Sequence, residues 1–281
     1  MDFVSLTKPE LTLLSVGTAV VSAYLARPAT TSAMVLLHVL VGTSLIGGAC
    51  GVLNQYMERS YDALMKRTER RPVPSGRVAP RDALLFGVAL AILGILYLEL
   101  FTSREATLLG SLTIVTYLGI YTPLKRRSPF ATIVGGIPGA LPPLIGWAAS
   151  YHSLSRESWT LFFILFFWQM PHFLSLAWLY RRDYARAGYR MLTAIDEKGI
   201  VTSRQIVVYA VALLAASLAP TLVGLAGTLY FYCALLASGL FAVVAVSFFL
   251  KRTNAVARRL FYASLLYLPT IFLLLMIDHR G

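Results

Sequence analysis

Three oxygen-bearing side chains recur at four-residue spacing where an apolar segment ends: Asn54, Glu58 and Asp62. On a helix this spacing puts them on one face about 12 Å long, at ~1.5 Å per residue. Such a face suits a divalent cation, because Mg2+ takes a few carboxylate or carbonyl oxygens and completes its shell with water and substrate phosphates. Arg67, Arg70 and Arg71 follow directly, and guanidinium forks bind phosphate oxygens in pairs. Together, the acids and arginines point to a diphosphate site. The competing reading is a polar helix end followed by a basic loop that only fixes membrane topology.

A second chemical stretch reads Trp168-Gln169-Met170-Pro171-His172-Phe173. Gln169 and His172 are three apart and share a helix face, while Pro171 removes a backbone hydrogen bond and is expected to open the helix around them. An imidazole in an apolar segment has three readings: a haem iron ligand, a proton donor or acceptor, or a group satisfied by a neighbouring helix. His38, His152 and His279 are weaker candidates, and Cys50 and Cys233, far apart and without ligand spacing around them, read as small buried hydrophobes.

The elements that must position these groups are membrane helices. With 57% hydrophobic and 14% charged residues over 281 positions and a mean hydropathy of +0.69, the chain is too apolar for an ordinary soluble domain. It reads as an all-α polytopic membrane protein, one integral-membrane domain over residues 1–281. Apolar runs fall near 10–26, 33–57, 82–101, 105–122, 130–149, 158–179, 205–225, 228–250 and 259–277, close to the ~17–25 residues a bilayer needs. That predicts nine transmembrane helices. The fifth contains Gly135-Gly136-Ile137-Pro138-Gly139 and Pro142-Pro143, so a kink or local unwinding is expected. Asp2, Lys8 and Glu10 make a poor signal-peptide start, so the first run reads as a retained helix.

Nine helices place alternate loops on opposite sides, and the cations sort accordingly. All of the 25 lysines and arginines except Arg27, Arg104, Arg156 and Arg280 fall on the amino-terminal side. The positive-inside rule then puts the amino terminus in the cytoplasm and the carboxyl terminus outside. The net charge of +12 is a topological pattern in short loops, which sets nucleic acid aside. Both Asn54–Asp62 and the later cluster Tyr180-Arg181-Arg182-Asp183-Tyr184 emerge on the cytoplasmic side, together with Lys125-Arg126-Arg127. Helices two and six each end in a polar motif followed by a long hydrophilic loop, a weak sign of internal duplication with the site between the halves.

The ordered set of motifs resembles a known family. Asn54-Gln-Tyr-Met-Glu58-Arg-Ser-Tyr-Asp62, Arg67-Thr68-Glu-Arg-Arg71-Pro72, Tyr121-Thr122-Pro123-Leu124-Lys125-Arg126, the Gly135–Ala149 stretch, Trp168–Phe173 and Asp183-Tyr184-Ala185-Arg186-Ala187-Gly188-Tyr189-Arg190-Met191-Leu192 resemble the protohaem IX farnesyltransferase (haem O synthase) family of UbiA-type intramembrane prenyltransferases. The resemblance runs in order over residues 8–192. It implies transfer of the farnesyl group of farnesyl diphosphate to a vinyl group of haem B, giving haem O. It further implies Mg2+ at a first motif of Asn54, Glu58 and Asp62 and a second at Asp183. Diphosphate would be bound by Arg67, Arg71, Lys125 and Arg126, and His172 would contact haem. A cell-membrane location and a haem A synthase-type partner also follow from the resemblance.

Two departures matter: Ser60 stands where many relatives carry an acid, and the second motif has one clear acid, Asp183. The alternatives are a UbiA-type enzyme with an aromatic or quinone-precursor acceptor, a secondary transporter, and a non-enzymatic haem-binding subunit. A transporter is expected to hold its charges near the bilayer midplane, and a haem-binding subunit has no need of Glu58 and Asp62.

Overall fold

A computed structural model describes residues 1–27 and 30–280. It is all-helical apart from one isolated β-bridge, Ala226 with His279. In chain order the elements are α1 (Asp2–Leu6), α2 (Pro9–Ala26), α3 (Ala33–Asp62), α4 (Pro80–Phe101) and α5 (Arg104–Ile114). A π-helical segment (Val115–Tyr121) then leads into α6 (Thr122–Leu124), α7 (Ala131–Ala140), α8 (Pro142–Tyr151), α9 (Arg156–Leu179), α10 (Arg181–Arg186), α11 (Leu192–Ile195), α12 (Ile200–Leu222), α13 (Thr228–Lys251) and α14 (Asn254–Ile277). Among the described residues eight helical spans are long and apolar enough to cross a membrane, and Thr12–Ala26 adds a shorter apolar helix.

The largest apolar core joins α8, α9, α12, α13 and α14 around Trp168, Phe241 and Phe248, and a second joins α2, α3, α4, α5 and α8 around Ile46 and Leu98. The bilayer makes the outward faces apolar as well, so exposed leucines such as Leu236 and Leu266 are the lipid-facing surface.

Three features differ from or sharpen the sequence expectations. First, α3 continues past the end of its apolar run near 57 to Asp62, as the four-residue spacing of Asn54, Glu58 and Asp62 requires. Its 30 residues are about 45 Å long, against a hydrocarbon core of ~30 Å, so the helix carries Glu58 and Asp62 past the apolar slab on a rigid axis. Second, the fifth run breaks at Leu141 into α7 and α8, as Pro142-Pro143 predicts. Third, Pro171 does not open its helix: α9 is continuous through it. Trp168 Nε1 donates to the Ser264 carbonyl (2.7 Å) and Gln169 Nε2 to the Gly136 carbonyl (2.8 Å), and these contacts to two neighbouring helices hold the turn in place.

The seven-residue π segment gave no sequence signal. Thr122 Oγ1 donates to the Tyr117 carbonyl (2.9 Å), and Pro123 has no N–H with which to continue an α-pattern. π-turns re-aim the side chains that follow them, and here Thr122 and Lys125 are directed at α3.

Helices α2 and α8 touch at Gly146, where any Cβ would overlap the Ala19 backbone carbonyl. Gly146→Val is therefore expected to cost at least ~1–3 kcal/mol, read as a large fall in Tm of the purified protein. Gly239, in α13 with open space around its Cα, is the control: Gly239→Ala should leave Tm unchanged or raise it.

Candidate functional site

The last turns of α3 carry Asn54, Glu58 and Asp62, which are 2%, 4% and 1% exposed. Buried charges need partners, and each acid has one. Lys125 Nζ donates to Glu58 Oε2 at 2.8 Å and lies 2.7 Å from Oε1. Arg71 Nη1 donates to Asp62 Oδ2 at 2.7 Å. Asn54 Nδ2 donates to Glu58 Oε2 (2.9 Å) and to Thr122 Oγ1 (3.3 Å), while its Oδ1 accepts from Lys8 Nζ (3.2 Å).

Local structure explains how Arg71 gets there. The loop after α3 folds back because Thr68 Oγ1 donates to the Asp62 carbonyl (2.8 Å) and Val73 and Val78 pack on Leu6, Val52 and Ala83. Arg77 then ties the loop to the amino terminus through Asp2 (2.9 Å). Arg70 stays exposed, and its carbonyl accepts from Arg77 Nη2 (2.8 Å).

Arg67 and Arg126 are held by tyrosines rather than acids. The Arg67 guanidinium lies 5.0 Å from the Tyr180 ring centroid and donates to the Tyr184 hydroxyl (3.3 Å). Arg126 sits 4.7 Å over Tyr61 and donates to its hydroxyl (3.0 Å). Below them Met65, Ala187, Tyr189 and Met191 form a small buried cluster, and Arg190 N–H donates to the Lys125 carbonyl (3.1 Å). The two long loops thus meet across the end of α3 and cover the acids.

Asp183 is placed differently from the first motif. It sits on α10, and its ion partner is Arg186 at 3.5 Å; the structure does not bring it into contact with Glu58 or Asp62. Among the described residues no group of three His, Cys, Asp or Glu side chains converges on one point. The donor chemistry on α3 nonetheless fits a hard divalent cation. Glu58 Oε1 is buried with Lys125 Nζ 2.7 Å away, so a carboxylate oxygen that a cation already neighbours stands beside Asn54 and within two turns of Asp62.

His172 is in contact with α14 and not with the acids. Its ring is stacked between Trp168 (4.9 Å, 19°) and Phe261 (4.9 Å, 27°), and Nδ1 lies 2.8 Å from Ser264 Oγ on α14. Ser264 Oγ donates its own proton to the Phe261 carbonyl (2.5 Å), so it accepts from Nδ1–H. In that tautomer Nε2 carries the lone pair, and among the described residues it has no hydrogen-bond partner. Gln169, its predicted face-mate, turns instead to α7.

Lys8 and Ser264 escaped the sequence reading as site residues, and Thr122 and Tyr189 entered it only as members of motifs, without a role. Lys8 counts there only as a topological charge, yet it closes the site from the amino-terminal side. Burial, followed by the nearby Arg71 and Lys125, lowers its pKa to about 7 against the opposing pull of Glu58 and Asp62. Burial also disfavours a charged Lys125, but the Glu58 carboxylate and Tyr121 outweigh it and hold that ammonium well above its ordinary range.

A helical membrane bundle with buried acids, paired cations and a covering pair of loops at one end is a multi-pass membrane protein with a built polar site. The chain belongs to the UbiA prenyltransferase family, which matches residues 15–273. It is 44% identical to the protoheme IX farnesyltransferase of Solibacter usitatus, with 100% of this chain and 99% of that one covered. Two solved structures share the fold. A digeranylgeranylglyceryl phosphate synthase superposes with a TM-score of 0.82 at 14% identity, covering 99% of this chain and 97% of that one. A UbiA homologue of Archaeoglobus fulgidus bound to DMAPP and Mg2+ gives 0.71 at 13%, covering 99% and 100%.

Two outcomes test the electrostatics. Lys125→Met strands Glu58 and should cost ~3–5 kcal/mol, most of it recovered in the Lys125→Met/Glu58→Gln double variant because both charges are then gone; thermal unfolding of the four proteins reads the coupling. For Lys8 the folded pKa of about 7 lies below the 10.5 of a free lysine, so the unfolded chain binds more protons between those values and stability rises with pH across that window. The Tm advantage of Lys8→Met over wild type should therefore be greatest near pH 6 and shrink steadily towards pH 10.

Proposed function

We propose that the protein transfers the farnesyl group of farnesyl diphosphate to a vinyl group of haem B, giving haem O. The reading is supported by the likeness along the whole chain to a protoheme IX farnesyltransferase. The observation that carries it in the structure is the pairing, in one bundle, of the Asn54–Glu58–Asp62 face and its cations with a histidine whose Nε2 is free. A quinone-precursor acceptor has no use for that histidine.

In this reading Asn54, Glu58 and Asp62 would hold Mg2+, with Asp183 joining from the facing loop. The metal supplies charge stabilisation for the leaving diphosphate. Lys125 and Arg71 sit where they can turn from the carboxylates to the phosphate oxygens, and Arg67 and Arg126 stand beside them on tyrosine faces. As the bond from C1 of the farnesyl chain to oxygen breaks, these cations stabilise the negative charge that accumulates on the diphosphate. The allylic cation left behind bonds to the terminal vinyl carbon. Water adds to the adjacent carbon and releases a proton, completing the hydroxyethylfarnesyl side chain. Tyr117 and Tyr121, 5.3 Å apart between ring centres, line the approach to Lys125, and their ring faces stabilise a passing cation. The loops over α3 keep bulk water from the diphosphate end.

In this reading the chain crosses the cell membrane nine times with its amino terminus in the cytoplasm, and the site would lie at the cytoplasmic face. The helix between Thr12 and Ala26 supplies the ninth, and the one-sided cations support the orientation. Both apolar substrates can then enter from the bilayer, and the product can pass to a haem A synthase-type partner.

Purified protein with haem B, farnesyl diphosphate and Mg2+ should form haem O, followed by chromatography and mass. Asp62→Asn should lower the rate ~10²–10³-fold, and His172→Ala should remove haem turnover. Folded wild type that prenylates an aromatic acid and leaves haem untouched would assign a different acceptor. No turnover of any prenyl diphosphate would end the enzymatic reading.

A further inference from the structure

A cavity of about 250 Å³ lies between the end of α9 and the start of α14, lined among others by Tyr180, Asn254, Arg258, Phe261 and Tyr262. Two of its walls connect to the site already described. The Tyr180 ring carries Arg67, one of the phosphate-binding candidates. The Phe261 ring is stacked on His172. The cavity therefore lies between the diphosphate end of the bundle and the histidine, and touches both through one aromatic ring each.

Its polar groups are not equivalent. Asn254 Oδ1 is occupied, accepting from Arg181 Nη1 (3.0 Å), and Arg181 is itself packed 4.1 Å over Trp178. Arg258 is exposed, with no ion pair and no side-chain hydrogen bond among the described residues. It is a guanidinium at the mouth of a half-apolar cavity with aromatic walls, in a position to bind a carboxylate with two hydrogen bonds. The volume falls below the ~300–1,000 Å³ that encloses a whole small-molecule ligand, so the cavity can take one acidic edge of a larger flat molecule. Arg258 and Ser264, the partner of His172, are about 9 Å apart along α14 at ~1.5 Å per residue. That is the scale on which the carboxylates of a porphyrin stand off from its metal.

We propose that this cavity is the subsite for the carboxylate edge of the acceptor, with Arg258 binding a propionate while the porphyrin lies against Phe261 towards His172. The proposal rests on the haem-acceptor reading and assigns a specificity role to α14.

The test is a binding measurement on the full protein in lipid nanodiscs. Haem B and its dimethyl ester, in which both propionates are masked, are titrated and followed by their Soret absorption. Wild type should bind haem B about tenfold more tightly than the ester, the size of one charge-assisted hydrogen-bond pair. Arg258→Gln should lose that preference by weakening haem B alone, Arg258→Lys should keep part of it, and Arg259→Gln, next in sequence and outside the cavity, should keep all of it. In turnover, Arg258→Gln should raise KM for haem with kcat little changed. Equal preference in wild type and Arg258→Gln would overturn the subsite and leave the haem reading standing. If wild type binds farnesyl diphosphate but no haem B at all, the acceptor reading itself fails and the subsite with it.

Discussion

The site depends on a constraint that membrane embedding makes severe: carboxylates buried at the end of a transmembrane helix must be neutralised where they stand. Glu58 and Asp62 meet it with Lys125 and Arg71, and each of those cations comes from a different loop. Leaving either carboxylate alone costs several kcal/mol. The demand for partners thus fixes the path of the loop after α3, the register of the π segment that delivers Lys125, and the docking of the Arg190 backbone on Lys125. Electrostatic necessity and local folding are here one requirement.

This explains why the sequence was informative at some residues and silent at others. Spacing alone placed Asn54, Glu58 and Asp62 on one face, since α3 is regular through all three. Arg71 and Lys125 read as cations near the site because they lie one short loop from an acid-bearing helix or face it across the bundle. The expectation that failed locally is Pro171. Propensity favours a break there, but side-chain bonds to Ser264 and Gly136 come from helices distant in sequence, and no window around residue 171 contains them. The same holds for Ser264 as the partner of His172, and for Lys8, whose contact with Asn54 joins two separate helices. Composition and hydropathy made the membrane class legible; the division of α9 into a Gln169 side and a His172 side needed the packing.

α9 also shows how one helix serves two neighbourhoods. Gln169 satisfies the Gly136 carbonyl near the break between α7 and α8, where Pro138 and Pro142-Pro143 weaken the backbone pattern. One turn on, His172 is clamped by α14 between two aromatic rings. The clamp fixes the orientation of the imidazole and gives Nδ1 a hydroxyl partner, which is the kind of preorganisation a functional ligand needs. α14, apolar and without a legible motif in the sequence, thereby becomes part of the proposed acceptor side.

The ion pairs also constrain how such a site can be loaded. Lys125 and Arg71 can turn to an incoming diphosphate only if Glu58 and Asp62 acquire another positive partner at the same time; otherwise two buried carboxylates are stranded. Conversely, a divalent cation taken up by the carboxylates alone displaces two cations into a buried region with no anion to receive them. Each ligand alone breaks pairs at a cost of several kcal/mol, whereas both together exchange two ion pairs for two sets of new ones at nearly constant net charge. Under the proposed reaction the two are thus bound cooperatively, and the coupling needs no moving domain. Under that reaction the acids and cations that now hold one another in place would be the same groups that receive a divalent cation and a diphosphate together.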